Sequence, residues 1–99
     1  IASARGVDAS WTLRYDTPAV ELAAGLRGRL EAAVEAAGHP VTSLVSGAGH
    51  DAVMLSRVCP AAMLFVRCAG GISHDPRESV EEADVAVAID VVERFLRSL

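Results

Sequence analysis

Aromatic side chains are scarce in this chain, charge is unclustered, and no apolar run is long. Aromatics make up 4% of 99 residues, so any core must be built from Ala, Val, Leu and Ile. No stretch approaches the ~20 apolar residues of a membrane span, and no charged-then-apolar leader opens the chain. A cytoplasmic protein without a membrane partner is therefore expected. The nine basic residues are scattered through a chain of net charge −4, whereas a nucleic-acid surface gathers them into a stripe. Cys59 and Cys68 form neither a CxxC pair nor a Cys/His zinc spacing. One disulfide is conceivable, but two buried thiols behaving as small hydrophobes are favoured. The chain begins at Ile1, which reads as a processed product or a piece of something longer.

Hydrophobic residues account for 52%, and their spacing predicts an α/β arrangement. Val7, Ala9, Trp11, Leu13 and Tyr15 alternate with polar residues, the pattern of a strand with one wet face. Thr17-Pro18 stops it, because proline cannot donate to a ladder, and marks a candidate domain boundary. Leu22, Leu26, Leu30, Ala33, Val34 and Ala37 recur at helical spacing, and Gly38 followed by His39-Pro40 ends that helix. Val41–Val45 and Ala61–Val66 are short and almost wholly apolar, as strands covered on both faces would be. A helix over about Asp51 to Val58 separates them, a gap long enough for a right-handed parallel crossover. The last helix carries a capping box at Ser79-Val80-Glu81-Glu82. Its stripe of Val85, Ile89, Val92, Leu96 and Leu99, widened by Val91 and Phe95, predicts a face packed on the sheet.

Two glycine-rich turns follow the two apolar runs. The first is Ser46-Gly47-Ala48-Gly49-His50-Asp51-Ala52 and the second is Gly70-Gly71-Ile72-Ser73-His74. Ligands of open α/β sheets gather beyond the carboxyl ends of strands, so parallel pairing would bring His50 and His74 to one crevice. Neutral imidazole is a common ligand of divalent ions, and His50, Asp51, His74, Asp75 and Glu78 are the candidates. Their spacing matches no local zinc motif. Backbone-bonded turn histidines and a functional pair remain equally open on chemistry alone.

The wording of the motifs goes further. The Ser46–Ala52 run, then Met63-Leu64-Phe65-Val66, then Gly71-Ile72-Ser73-His74-Asp75-Pro76-Arg77-Glu78 closely resemble the carboxyl-terminal region of one hydrolase family. It comprises N-carbamoyl-amino-acid hydrolases, allantoate amidohydrolases and β-ureidopropionases, within the aminoacylase and carboxypeptidase group of dinuclear metallohydrolases. The resemblance runs from about Arg5 to the end of the chain.

It implies that residues 1–16 close an inserted lid or dimerisation domain and that 17–99 belong to the α/β catalytic domain of a homodimeric parent. It implies that His74 is a ligand of one of two divalent ions (Zn, Mn, Co or Ni) and that Gly49 and His50 line the pocket for a ureido substrate. Asp51 and Glu78 are weaker candidates, each either supporting the site from behind or serving as an ordinary helix-entry charge. The implied reaction is hydrolysis of a carbamoyl C–N bond, with a metal-bound water as nucleophile and a glutamate as general base.

The remaining ligands, the general base and the lid arginine that grips the substrate carboxylate lie earlier in the family pattern and are absent here. Arg67 stands where that pattern usually has proline. The 99 residues alone are thus expected to be inactive, and to self-associate or require the preceding part of the parent. Two alternatives are a non-catalytic scaffold module and a dipeptidase or aminoacylase of the same group.

Overall fold

The computed structural model describes residues 1–99 and contains three α-helices with two short 3₁₀ turns, at Ser3–Arg5 and Ala69–Gly71. The α-helices are α1 (Ala24–Ala36), α2 (Asp51–Leu55) and α3 (Glu82–Arg97).

α1 follows its predicted stripe. Leu30 and Ala33 are buried, and Leu22, Leu26, Val34 and Ala37 are half-buried along the same face. Gly25 and Gly28 do not interrupt it. Its end is a Schellman cap: the His39 N–H donates to the Val34 carbonyl at 3.2 Å and the Gly38 N–H to that of Glu35 at 2.9 Å. Gly38 has φ +83°, a left-handed conformation in which a side chain would clash with its own backbone.

α3 departs from expectation at both its start and its face. It begins at Glu82 with Glu81 as N-cap, and no side chain caps it. Ser79 cannot close a capping box because it lies outside the helix, where its carbonyl accepts the Ala69 N–H at 2.8 Å. The face turned toward α1 is centred on Val91, 2% exposed, with Asp84, Val87, Ala88 and Phe95 half-buried nearby. The predicted stripe lies about a third of a turn away and is open, with Ile89 63% exposed. α1 is the element that α3 packs against, and its buried residues are Leu30 and Ala33. Arg29 joins the two helices by donating to the Ser98 carbonyl just past α3. Along α3, Arg94–Asp90 at 2.9 Å and Arg97–Glu93 at 2.8 Å are exposed i,i+4 pairs, each contributing about 0.3–0.5 kcal/mol.

The predicted strands at residues 7–16, 41–45 and 61–66 have no strand partners, and no sheet forms within these residues. A strand needs a neighbour to accept its N–H groups and supply its C=O groups with donors. The 61–66 run makes one such link, from the Ala23 N–H to the Ala61 carbonyl at 3.0 Å. Both cysteines are free thiols, with Cys59 exposed rather than buried.

The outcome is an extended shape, 59 × 33 × 20 Å, with a radius of gyration of 18.4 Å. A compact domain of this length has a radius near 13 Å and, at this mass, exposes about 5,400 Å². This chain exposes 8150 Å². The excess is comparable to what permanent interfaces bury, and it includes Trp11, Val45 and Val58.

The helix face can be tested directly. In this chain Val91→Ala should destabilise the α1–α3 contact by about 2 kcal/mol through lost burial and a residual cavity. Ile89→Ala should change it by less than about 0.5 kcal/mol. Urea unfolding followed by helical circular dichroism separates the two, and a larger loss for Ile89→Ala would reverse the assigned face.

Candidate functional site

The two histidines are held in different ways. His50 is half-buried in an extended conformation as the N-cap residue of α2. Its Nε2 is hydrogen-bonded to the Ser46 hydroxyl at 2.7 Å, and its ring meets Phe65 edge-on at a centroid distance of 6.2 Å. Ser46 also accepts the Ala48 N–H at 3.2 Å, a turn in which a serine hydroxyl stands in for a backbone acceptor. The Ser-Gly-Ala-Gly-His wording thus builds a loop folded back on its own first residue. Asp51 follows in the first turn of α2, exposed and without a side-chain hydrogen bond.

His74 is exposed, with φ +56°. A non-glycine residue held in the left-handed region costs about 1–2 kcal/mol and persists where its surroundings fix it. Here the Glu78 carboxylate accepts the His74 N–H at 2.9 Å, and the Glu78 N–H donates to the Asp75 carbonyl at 2.9 Å. Gly70 and Gly71, at φ +62° and +68°, bend the chain just before this loop. Glu78 therefore reaches the backbone of His74 and leaves the imidazole free of protein partners.

Asp75 and Arg77 clamp the same loop. Arg77 donates to Asp75 Oδ1 from its backbone N–H at 2.9 Å and from Nε at 2.8 Å, and to Oδ2 from Nη2 at 3.1 Å. The guanidinium and then the backbone N–H of Arg77 lower the Asp75 pKa, and the same contact raises that of Arg77. Arg67, beside the half-buried Cys68, lies 4.0 Å from Asp84 at the start of α3.

Gly49, His50 and Asp51 line one open cleft of about 1650 Å³, together with Phe65, Gly70 and Gly71. His74 and Glu78 stand outside it. The expected single crevice with both histidines is not formed, because it required the two apolar runs to pair in parallel. Nor do three His, Cys, Asp or Glu side chains converge anywhere in a metal-holding arrangement. The residues present do not by themselves fit a metal centre. At roughly 300–1,000 Å³ for a typical small-molecule pocket, the cleft is also larger than one ligand needs.

Sequence reasoning passed over Ser46, Phe65 and Arg77. Ser46 was legible as a serine two residues before a backbone N–H in a glycine-rich turn, and Arg77 as an aspartate-proline-arginine turn. The contact with Phe65 joins separate segments and had no local signal.

Comparison with known proteins gives these motifs a context. The description "Peptidase family M20/M25/M40" matches residues 5–98, and the chain belongs to that family. It is 41% identical over 95 residues to a probable allantoate deiminase of Oryza sativa subsp. japonica, covering 85% of this chain and 19% of that protein. It is 51% identical over 59 residues to allantoate deiminase 2 of Glycine max, covering 60% of this chain and 12% of that protein. An N-carbamoyl-L-amino acid amidohydrolase of Geobacillus stearothermophilus is 44% identical over 62 residues, 63% of this chain and 15% of that protein. The chain thus spans about a fifth or less of these relatives. No solved structure matches it.

The loop clamp has a defined pH dependence. Because Asp75 has a lowered pKa, its stabilisation of the loop is complete above the ordinary aspartate value of 3.8. It is lost as pH falls from there through the lower folded-state value. Carboxyl ¹³C titration by NMR should place Asp75 below a reference aspartate, with Arg77→Ala reducing the difference by the guanidinium's share and leaving that of the backbone N–H. A titration at or above the reference in the wild-type chain would contradict the clamp.

Proposed function

We propose that this chain is the carboxyl-terminal part of a metal-dependent amidohydrolase acting on the carbamoyl C–N bond of an N-carbamoyl-amino acid or allantoate. The observation that carries the reading is the family match over residues 5–98, coupled with relatives named as allantoate deiminases and N-carbamoyl-amino-acid amidohydrolases. Residues 1–16 then close a lid or dimerisation domain, and 17–99 join an α/β catalytic domain in a homodimeric, cytoplasmic parent. The unpaired apolar runs support this, since 41–45 and 61–66 have the composition of covered strands and lack only neighbours.

In this reading His74 offers one imidazole to one of two divalent ions, Zn, Mn, Co or Ni, whose other ligands come from outside these residues. The unpartnered ring is consistent with that role, and the Glu78 and Asp75–Arg77 contacts hold the loop that carries it. Gly49 and His50 contact the ureido substrate, where close backbone approach and a hydrogen-bonding ring suit polar amide and carboxylate groups. Asp51 enters α2 beside His50 as a first-turn carboxylate favourable to the helix dipole. The catalytic base belongs to the preceding part of the parent. No catalytic step is assigned to these 99 residues alone.

In the full-length parent loaded with metal, His74→Ala should lower the metal content and nearly abolish turnover. His50→Ala should keep both metals and lose activity through substrate binding and transition-state contacts. Elemental analysis with ammonia release from a panel of ureido acids reads both. A fully metallated, active His74→Ala parent would overturn the metal assignment. Cleavage of dipeptides or acylated amino acids alone would move the substrate class within the family, and a metal-free parent under replete conditions would favour a scaffold.

A further inference from the structure

We infer that Ser46 is a positioning residue that fixes the tautomer of His50, so that the ring meets its ligand as a neutral Nδ1–H donor. The inference rests on the substrate-contact reading of His50. Ser46 Oγ lies 2.7 Å from Nε2, a short O–H···N distance. The Ala48 N–H already donates to this hydroxyl oxygen at 3.2 Å. The hydroxyl hydrogen has two candidate acceptors: Nε2 at 2.7 Å and the Ala48 carbonyl at 3.5 Å. At the longer distance a side-chain hydrogen bond is close to vanishing, so Nε2 is the well-placed acceptor within the protein, and we assign the hydroxyl hydrogen to it. Nε2 is then the acceptor, and a neutral imidazole that accepts at one nitrogen carries its hydrogen on the other. The Phe65 edge contact at 6.2 Å further restricts the ring.

This assignment has a chemical consequence. With Nε2 engaged by the hydroxyl and Nδ1 protonated, His50 has no free lone pair for a metal. It can only donate, to an acceptor such as a carbonyl or carboxylate oxygen. The two histidines of the glycine-rich turns thereby divide their work: His50 toward oxygen atoms of an organic ligand, and His74, whose ring has no protein partner, toward other chemistry.

The test uses the full-length parent with ¹⁵N-labelled histidine. The wild-type His50 resonances should show the Nδ1–H tautomer, and Ser46→Ala should shift the ring toward the Nε2–H form that free imidazole side chains prefer. In steady-state kinetics on a ureido acid, Ser46→Ala should lower kcat/KM about tenfold, mainly through KM. Ser46→Thr, which keeps the hydroxyl, should restore it to within about threefold, and Ser46→Ala combined with His50→Ala should be no slower than His50→Ala alone. An Nε2–H ring in the wild type would overturn the proposal, as would additive losses in the double variant. A fully active His50→Ala parent would instead sink the substrate-contact reading, while the tautomer measurement would still judge the Ser46 contact by itself.

Discussion

The packing of α1 on α3 is the one place where this chain buries side chains. Leu30, Ala33 and Val91 are its entire buried set, and all three lie on those two helices. Parts of the remaining chain are tied to that pair, directly or at one remove, by single links. The Ala23 N–H to Ala61 carbonyl bond ties the second apolar run to the start of α1. Arg67 approaches Asp84 at the start of α3, and the Ala69 N–H reaches the Ser79 carbonyl. A few contacts of this kind stabilise a helix pair but cannot offset the ordering cost of a whole domain. The large exposed surface follows directly from that shortfall.

The helices were legible because their signals are local. Gly38 ahead of His39-Pro40 specified a cap whose bonds both lie within six residues. The stripe from Leu22 to Ala37 specified the face of α1 for the same reason. The face of α3 was misread because periodicity offers several apolar sides, and the partner decides among them. Val91, read as a margin of the stripe, is its buried centre, while Ile89 stays open. The strands were legible only as composition. Val41–Val45 and Ala61–Val66 have the composition of a covered sheet, but no strand pairing forms among these residues. Ser79 shows the same limit on a small scale: α3 starts at Glu82 with Glu81 as its N-cap, which leaves Ser79 two residues too early to cap it.

At the site, short-range chemistry was again the readable part. The glycine-rich turns carry their histidines as expected, and each turn is closed by a side chain from its own motif: Ser46 for His50 and Glu78 for the His74 backbone. What did not follow was convergence. Bringing two loops to one crevice is a property of the sheet between them. The family match over residues 5–98 supplies the motif's context, and the chain covers about a fifth or less of the relatives compared.

We propose that residues 41–45 and 61–66 become strands when the rest of a hydrolase domain supplies their neighbours. Backbone amide hydrogen exchange, compared between this chain alone and the full-length parent, tests it most directly. The account predicts rapid exchange of both segments in the chain alone and protection by orders of magnitude in the parent, with α1 and α3 changing far less. Equal exchange of these segments in the two contexts would contradict it.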